Sequence, residues 1–496
     1  MSIKLTSYDL TVVEPVQNWI NGEYVPARSG ARQDVVNPRY GQPMTSVAMS
    51  AQADVDAAVA AAKAAFKDWS ATPIKERVQV FYNLKNLIMR DFEHLAWLVS
   101  HENGKTFDEG KASVAKSIEC LEFGISLPNM IADGSMDVSR GVRCTTFHEP
   151  LGVVGGITPF NFPIMVPFWM LPQALVAGNT FVLKPSEKVP TSMSQVALLF
   201  REAGLPKGVL NIVNGGKDAV DGMLANTDIQ AIGFVGSTPI AKYVYAKGAE
   251  TGRRMLCLGG AKNHLIVVPD ADLDMTARDV AASFTGCAGQ RCMASSVMVA
   301  VGQVDHIIDG IVEQASKLEL GKTMGSIINK ESVARIRRYI DQAEASGAKV
   351  LLDGRKTPPP AGCEGGNWIG PTILDHVAEG SPAACDEIFG PVISIVRKNT
   401  LDEAIALENA SPYGNAASIY TSTGSTARYA IERVRAGMNG INIGVPVPRE
   451  PFGFGGWFDS KFGQGDITGY DGFRFWTQPR KVTEKWALQK DATWMS

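Results

Sequence analysis

The chain has no apolar run of the roughly 20 residues that a membrane-spanning helix needs. The longest candidate, Phe160 to Ala177, is interrupted by Pro163, Pro167 and Pro172. Its first residues, Met1-Ser2-Ile3-Lys4-Leu5, lack the apolar core of a secretory signal. Neither sign of charge is in excess: a net charge of −3 gives no reason to expect a nucleic acid or an anionic membrane as partner. Cysteine is sparse and odd in number, seven in 496 residues, which does not read as a disulfide framework and points to a reducing compartment. The six histidines show no zinc-type spacing to a second ligand, so no metal centre is expected. Internal repeats and low-complexity segments are also missing. What remains is ordinary globular composition, 45% hydrophobic and 20% charged, in a chain too long for one core. The expectation is a cytoplasmic protein of two or three domains.

After a mixed stretch through residue 50, Val55, Ala58, Val59, Ala62 and Phe66 share one helical face, and helices are expected through about residue 128. Residues 138–150 alternate like a strand. A βα alternation then begins, with strands expected at 151–157, 180–183, 209–213 and 229–235. Pro239 suits the first position of a helix capped by Ser237 or Thr238. A second series runs from about 265 to 445, with strands expected at 265–268, 297–301, 349–352, 392–396, 417–421 and 438–443. Such alternation implies mostly parallel sheets, which bind ligands at the carboxyl ends of their strands. Asn161, Lys184, Glu187 and Gly236 all follow expected strands and should therefore cluster. Gly472 to Thr477 alternates again. Together with 138–150 it suggests a protruding sheet whose edge a partner subunit would cover.

The chemistry concentrates in Phe284-Thr285-Gly286-Cys287-Ala288-Gly289-Gln290-Arg291-Cys292-Met293-Ala294. Here a helical run gives way to a β-branched segment, on a turn rich in glycine. A lone cysteine is usually a small buried hydrophobe. Beside a cation, however, its reactive thiolate is favoured, and Arg291 is the immediate neighbour of Cys292.

Five motifs occur in order: Pro159-Phe160-Asn161-Phe162-Pro163, Lys184-Pro185-Ser186-Glu187, Phe234-Val235-Gly236-Ser237-Thr238, Gly289-Gln290-Arg291-Cys292 and Glu387-Ile388-Phe389-Gly390-Pro391. Each alone is weak. Together they resemble the aldehyde dehydrogenase superfamily over nearly the whole chain. The resemblance implies two doubly wound parallel-sheet α/β domains and a small β oligomerisation arm. It places an NAD-binding domain at 1–137 and 151–258, a catalytic domain at 259–455 and the arm at 138–150 and 470–490. It also implies a homo-oligomer, a dimer or tetramer, acting on a small-molecule aldehyde.

By the same resemblance, Cys292 is the nucleophile, and Asn161 with the Cys292 backbone N–H forms the oxyanion site. Lys184 and Glu187 hold the adenosine ribose, and the carboxylate favours NAD over NADP by repelling a 2′-phosphate. Gly236 and Ser237 face the pyrophosphate at a helix N-terminus. Glu387 holds the nicotinamide ribose, and Phe160, Ser186 and Phe389 complete the cofactor-binding set.

One departure is informative. Hydrolytic members carry Glu-Leu-Gly-Gly ahead of the cysteine, with the glutamate activating water. Here the stretch reads Met255-Leu256-Cys257-Leu258-Gly259-Gly260-Ala261-Lys262-Asn263-His264, so the glutamate position falls on Cys257 or Leu258. Neither is a carboxylate base. The Gly-Ala-Lys-Asn-His and Gly-Gln-Arg-Cys-Met-Ala forms look like the methylmalonate-semialdehyde dehydrogenase branch. That branch passes the acyl group to coenzyme A and takes short aldehydes bearing a carboxylate. Arg291 suits a carboxylate, and a second arginine of the branch corresponds here to Ala115 or Lys116, where lysine keeps the charge but loses the fork. Residues 449–457 and 465–469 depart from the branch pattern. Arg449 either replaces the missing guanidinium or is an ordinary surface residue. Two rival readings are a hydrolytic enzyme releasing free acid and a non-catalytic protein that kept the fold.

Overall fold

The computed structural model describes residues 10–131 and 134–486. Its frame is two sheets. In the first, the strands Leu210–Ile212, Thr180–Lys184, Val153–Ile157, Ile229–Val235 and Arg254–Leu258 lie side by side and parallel. Asn18–Ile20 with Glu23–Val25 closes one edge antiparallel, and Lys461–Phe462 closes the other. These five parallel strands are apolar runs buried almost throughout, as a sheet covered on both faces requires. Residues of Ile74–Arg90, Phe92–Asn103, Phe107–Met130 and Met165–Val176 pack in the cluster on one face, and residues of Gln52–Ala71 and Thr238–Ala249 in the cluster on the other. Chain order reverses between Val153–Ile157 and Ile229–Val235, and a crevice opens where neighbouring crossovers leave in opposite directions.

In the second sheet Thr372–Asp375, Val392–Lys398, Ser295–Val301, Asn263–Val267, Ala416–Tyr420 and Met438–Ile441 run parallel, with Lys349–Leu352 antiparallel at one edge. Apolar clusters fill both faces here too. Ala416–Tyr420, Asn263–Val267 and Ser295–Val301 are adjacent, so the residues that open them share one edge. That edge meets the carboxyl end of the first sheet. A third sheet, Gly134–Ser139, Val142–Pro150 and Thr477–Lys485, is antiparallel and largely exposed.

One expectation needs correction. Residues 472–476 are not a strand: Gly469–Phe475 is a helix, and the strand begins at Thr477. Gly469, Gly472, Phe473 and Trp476 lie three or four residues apart, and their helical face is buried. Trp476 packs edge-on against Phe475 and Phe181, at 4.5 and 5.6 Å. The strand Thr372–Asp375 was not foreseen, nor were the short strands before residue 50. No helix among the described residues is long and apolar enough to cross a membrane.

Candidate active site

Asp272 caps the helix Leu273–Thr285 by accepting from the Met275 N–H at 2.8 Å. The helix stops at Gly286, and Cys287, Ala288 and Gly289 all take positive φ. Gly289 cannot be replaced freely, because a Cβ there would lie 2.0 Å from the Gly390 carbonyl oxygen. The polar atoms of this turn are held from several sides. Glu109 accepts from the Cys287 N–H at 2.5 Å and, through its other oxygen, from the Thr106 N–H at 2.9 Å. The Gln290 carboxamide donates to the carbonyls of Cys287 and Ser326 and accepts from the Ile328 N–H. Asn161 donates to the Gln290 carbonyl at 3.1 Å, leaving its second amide proton for another acceptor.

Cys292, Asn161, Phe160, Gly236, Ser237, Glu387 and Phe389 line one cavity of about 530 Å³. Arg335, Tyr339, Tyr413 and Lys188 line it as well, and none of these was singled out in the sequence. Phe160 and Phe389 meet edge-on at 5.9 Å. Ser237 is the N-cap of the helix Thr238–Ala249 but makes no side-chain capping bond. Thr238 is turned inward, accepting from the Gly260 N–H at 2.8 Å. That helix start therefore presents backbone donors to the cavity. Lys184, Ser186 and Glu187 do not line this cavity, although the next residue in the chain, Lys188, does. Lys184 is buried and lies 3.3 Å from Glu187. Burial pulls the Lys184 amine below its ordinary value, against the pull of Glu187.

Arg291 and Lys116 do not line the cavity either. Arg291 Nη2 donates to the carbonyls of Ala282 and Ser283, at the end of the helix that precedes it, and its Nε is buried without a partner. Lys116 is ion-paired with Glu450 at 2.7 Å and with Glu119 at 3.0 Å. Arg449 is mostly exposed, 3.6 Å from Glu119.

The electrostatics correct one expectation. Burial pushes the Cys292 thiol up to about 12; the negative field of Glu387 adds to this, and Arg291 lowers it only in part. The cleft walls push Glu387 up to about 7, although the Ala261 N–H, which donates to it at 3.0 Å, and the charges of Lys262 and Arg335 act to lower it. Lys262 is buried and its amine makes no hydrogen bond; desolvation brings it down to about 8.

The alternation of the strand Arg254–Leu258 separates the two residues at the place of the missing glutamate. Cys257 packs into the cluster on one face of the first sheet. Leu258 belongs to the opposite cluster, against which Cys292 itself packs. Among the described residues no group of acidic, histidine or cysteine side chains could hold a metal ion.

Residues 24–482 match the family model described as the aldehyde dehydrogenase family. Malonate-semialdehyde dehydrogenase 2 of Geobacillus kaustophilus is 44% identical over 484 residues, covering 96% of this chain and 100% of that protein. The malonate-semialdehyde dehydrogenase of Bacillus pumilus is 43% identical over 484 residues, covering 96% and 99%. Among solved structures, methylmalonate-semialdehyde dehydrogenase from Oceanimonas doudoroffii aligns with a TM-score of 0.94 at 39% identity, over 96% of this chain and 99% of that one. A Sinorhizobium meliloti structure complexed with NAD, provisionally described as a methylmalonate-semialdehyde dehydrogenase, aligns with a TM-score of 0.94 at 40% identity, over 97% and 99%.

Proposed function

The chain belongs to the aldehyde dehydrogenase family, and from that premise we propose that it oxidises a short, carboxylate-bearing semialdehyde with NAD through a thioester on Cys292 and passes the acyl group to coenzyme A. One observation carries the reading. Cys292, Asn161 and Glu387 converge on one cavity, and neither Cys257 nor Leu258, on which the position of the hydrolytic glutamate falls, carries a carboxylate that could activate water.

The residues fit the cofactor. The cavity ends at an uncapped helix N-terminus suited to a pyrophosphate. The Lys184–Glu187 pair suits ribose hydroxyls, and Glu387, with one oxygen held by Ala261, leaves the other for a second ribose. Bound NAD supplies the hydride acceptor. The chain supplies the rest. The Cys292 thiol gives up its proton to solvent, its sulfur bonds to the carbonyl carbon, and the resulting oxyanion accepts from the Asn161 amide and the Cys292 N–H. Once hydride has left, the carbon is bound to sulfur as a thioester. The thiol of coenzyme A then displaces Cys292, and acyl-CoA is released.

The names of the relatives support a malonate-type substrate. The two cations that the sequence suggested for its carboxylate, Arg291 and Lys116, lie off the cavity, whereas Lys188 and Arg335 line it. The second reading, hydrolysis to free acid, draws on Glu387, which titrates near neutrality and whose charge reaches Cys292. On the family pattern, the chain divides into the NAD-binding, catalytic and arm segments given above. The exposed third sheet, with Met136, Val138 and Val482 on its surface, suits contact with other copies in a cytoplasmic dimer or tetramer.

The test is to compare Cys292→Ala with the parent. The variant should fold, bind NAD and form no NADH with an aldehyde. Comparable turnover by Cys292→Ala would remove the assignment. With NADP in place of NAD, efficiency should fall about tenfold or more through the charge of Glu187; equal efficiency would show that Glu187 does not face the ribose.

A further inference from the structure

The start of the second sheet joins Asn263, from the Gly-Ala-Lys-Asn-His stretch, to Asn415, which no motif marks. Three adjacent strands open side by side: Ala416–Tyr420, Asn263–Val267 and Ser295–Val301. Asn415 precedes the first, Asn263 begins the second, and Cys292 lies three residues before the third. Both asparagines are buried, 7% and 3% exposed, and both aim their amides at one atom. Asn263 Nδ2 donates to the Cys292 carbonyl at 2.8 Å, and Asn415 Nδ2 donates to the same oxygen at 3.0 Å. Asn263 also donates to the Ala294 carbonyl at 3.0 Å. Its own oxygen accepts from the Ala416 N–H at 3.1 Å and from Asn415 at 3.2 Å. On the other side of Cys292, the Arg291 carbonyl accepts from the Ala294 N–H at 3.1 Å.

Both peptide planes that flank the Cys292 Cα are therefore tied. A peptide unit is rigid, so fixing its carbonyl fixes its plane. With both planes fixed, the direction of the Cys292 N–H and the direction in which its side chain leaves the backbone are fixed as well. We propose that Asn263 and Asn415 form a two-amide clamp that positions Cys292, holding its N–H where an oxyanion forms relative to its own sulfur. They are positioning residues, since they touch neither the thiol nor the cavity. The inference rests on the proposed role of Cys292 as nucleophile.

The clamp predicts a specific pattern. Addition to an aldehyde needs both the sulfur and an aligned donor, whereas alkylation by iodoacetamide needs the sulfur alone. Asn415→Ala and Asn263→Ala should each slow single-turnover NADH formation from propanal by about 100-fold, the cost of misplacing a reacting group by an ångström. The NAD dissociation constant and the rate of Cys292 alkylation should be unchanged. The double variant should lose no more than the worse single variant, because both amides act on one carbonyl. If an alanine variant fails to fold, the isosteric Asn415→Leu keeps the volume and removes the donor. Single-turnover rates equal to the parent would overturn the proposal. A parallel fall in alkylation would also overturn it, by assigning the asparagines to thiol exposure instead. A Cys292→Ala protein that still formed NADH would remove the underlying reading whatever the asparagine variants did.

Discussion

At the scale of the residue, the determining balance is between burial and charge around Cys292. A thiol pushed up to about 12 is protonated in the empty site, and Glu387 contributes to that. Iodoacetamide inactivation without cofactor should therefore climb steadily with pH and show no plateau between about pH 7 and 9. Glu387→Gln removes the negative field and should make alkylation faster at each pH. A plateau near neutrality in the parent, or no change in the variant, would contradict this. A second prediction concerns Lys116, whose ammonium is held above its ordinary value, despite the opposing effect of burial, by Glu450, Cys120 and Glu119. Glu450→Gln leaves Lys116 paired with Glu119 alone and, if Lys116 meets the substrate, should raise kcat/KM for carboxylate-bearing aldehydes about tenfold over propanal, or about 1.4 kcal/mol. Equal effects on both aldehydes would place Lys116 outside the substrate site. Cys292, Asn161 and Glu387 were legible in the sequence because each sits in a short motif of its own. The pairing of Asn263 with Asn415 was not: 152 positions separate them, and only the adjacency of two strands joins them to one carbonyl. Arg335 escaped notice because a lone basic residue reads as solvated surface, and Lys262 was read only as part of a motif. Burial, which sequence does not display, is what gives them meaning.

At the scale of the element, the βα alternation was readable because strands buried on both faces are unbroken apolar runs. Ile229–Val235 falls where the pattern puts it. The helix Gly469–Phe475 was not readable, since Phe473 and Phe475 alternate like a strand over so short a span. A further link between elements was invisible in sequence. Glu102, on the helix Phe92–Asn103, is fully buried and accepts from the N–H and hydroxyl groups of Thr191 and Ser192 at the start of Thr191–Glu202. Burial raises its carboxyl from 4.5 to about 7, although those four donors oppose the rise. The fold thus favours the protonated form. Its contribution to stability is complete below pH 4.5 and is lost as pH rises through about 7. Glu102→Gln should be less stable overall, by about 1–3 kcal/mol for donors left poorly matched, but should lose the part of the pH dependence due to this group. Thermal unfolding of both proteins across that range measures the two slopes, and identical slopes would contradict the assignment.

At the scale of the whole molecule, the cleft exists because the carboxyl end of one doubly wound sheet faces the opening edge of another. The two sheets were legible in the sequence, but their mutual placement was not, because no local pattern encodes it. The exposed third sheet predicts association: Val482→Asp together with Met136→Asp should shift a dimer or tetramer toward monomer in sedimentation, and an unchanged sedimentation coefficient would place the interface elsewhere. The central claim is that the thioester on Cys292 waits for a thiol because neither Cys257 nor Leu258, at the place of the hydrolytic glutamate, can activate water. Stopped-flow NADH absorbance with malonate semialdehyde tests it most directly. Without coenzyme A, a burst of about one equivalent per site should give way to a phase slower by about 10²–10⁴-fold, the usual contribution of a general base. Mass spectrometry in that phase should find an acyl adduct on Cys292, and added coenzyme A should restore turnover with acyl-CoA as product. Fast steady release of free acid without coenzyme A, unchanged on adding it, would contradict the account.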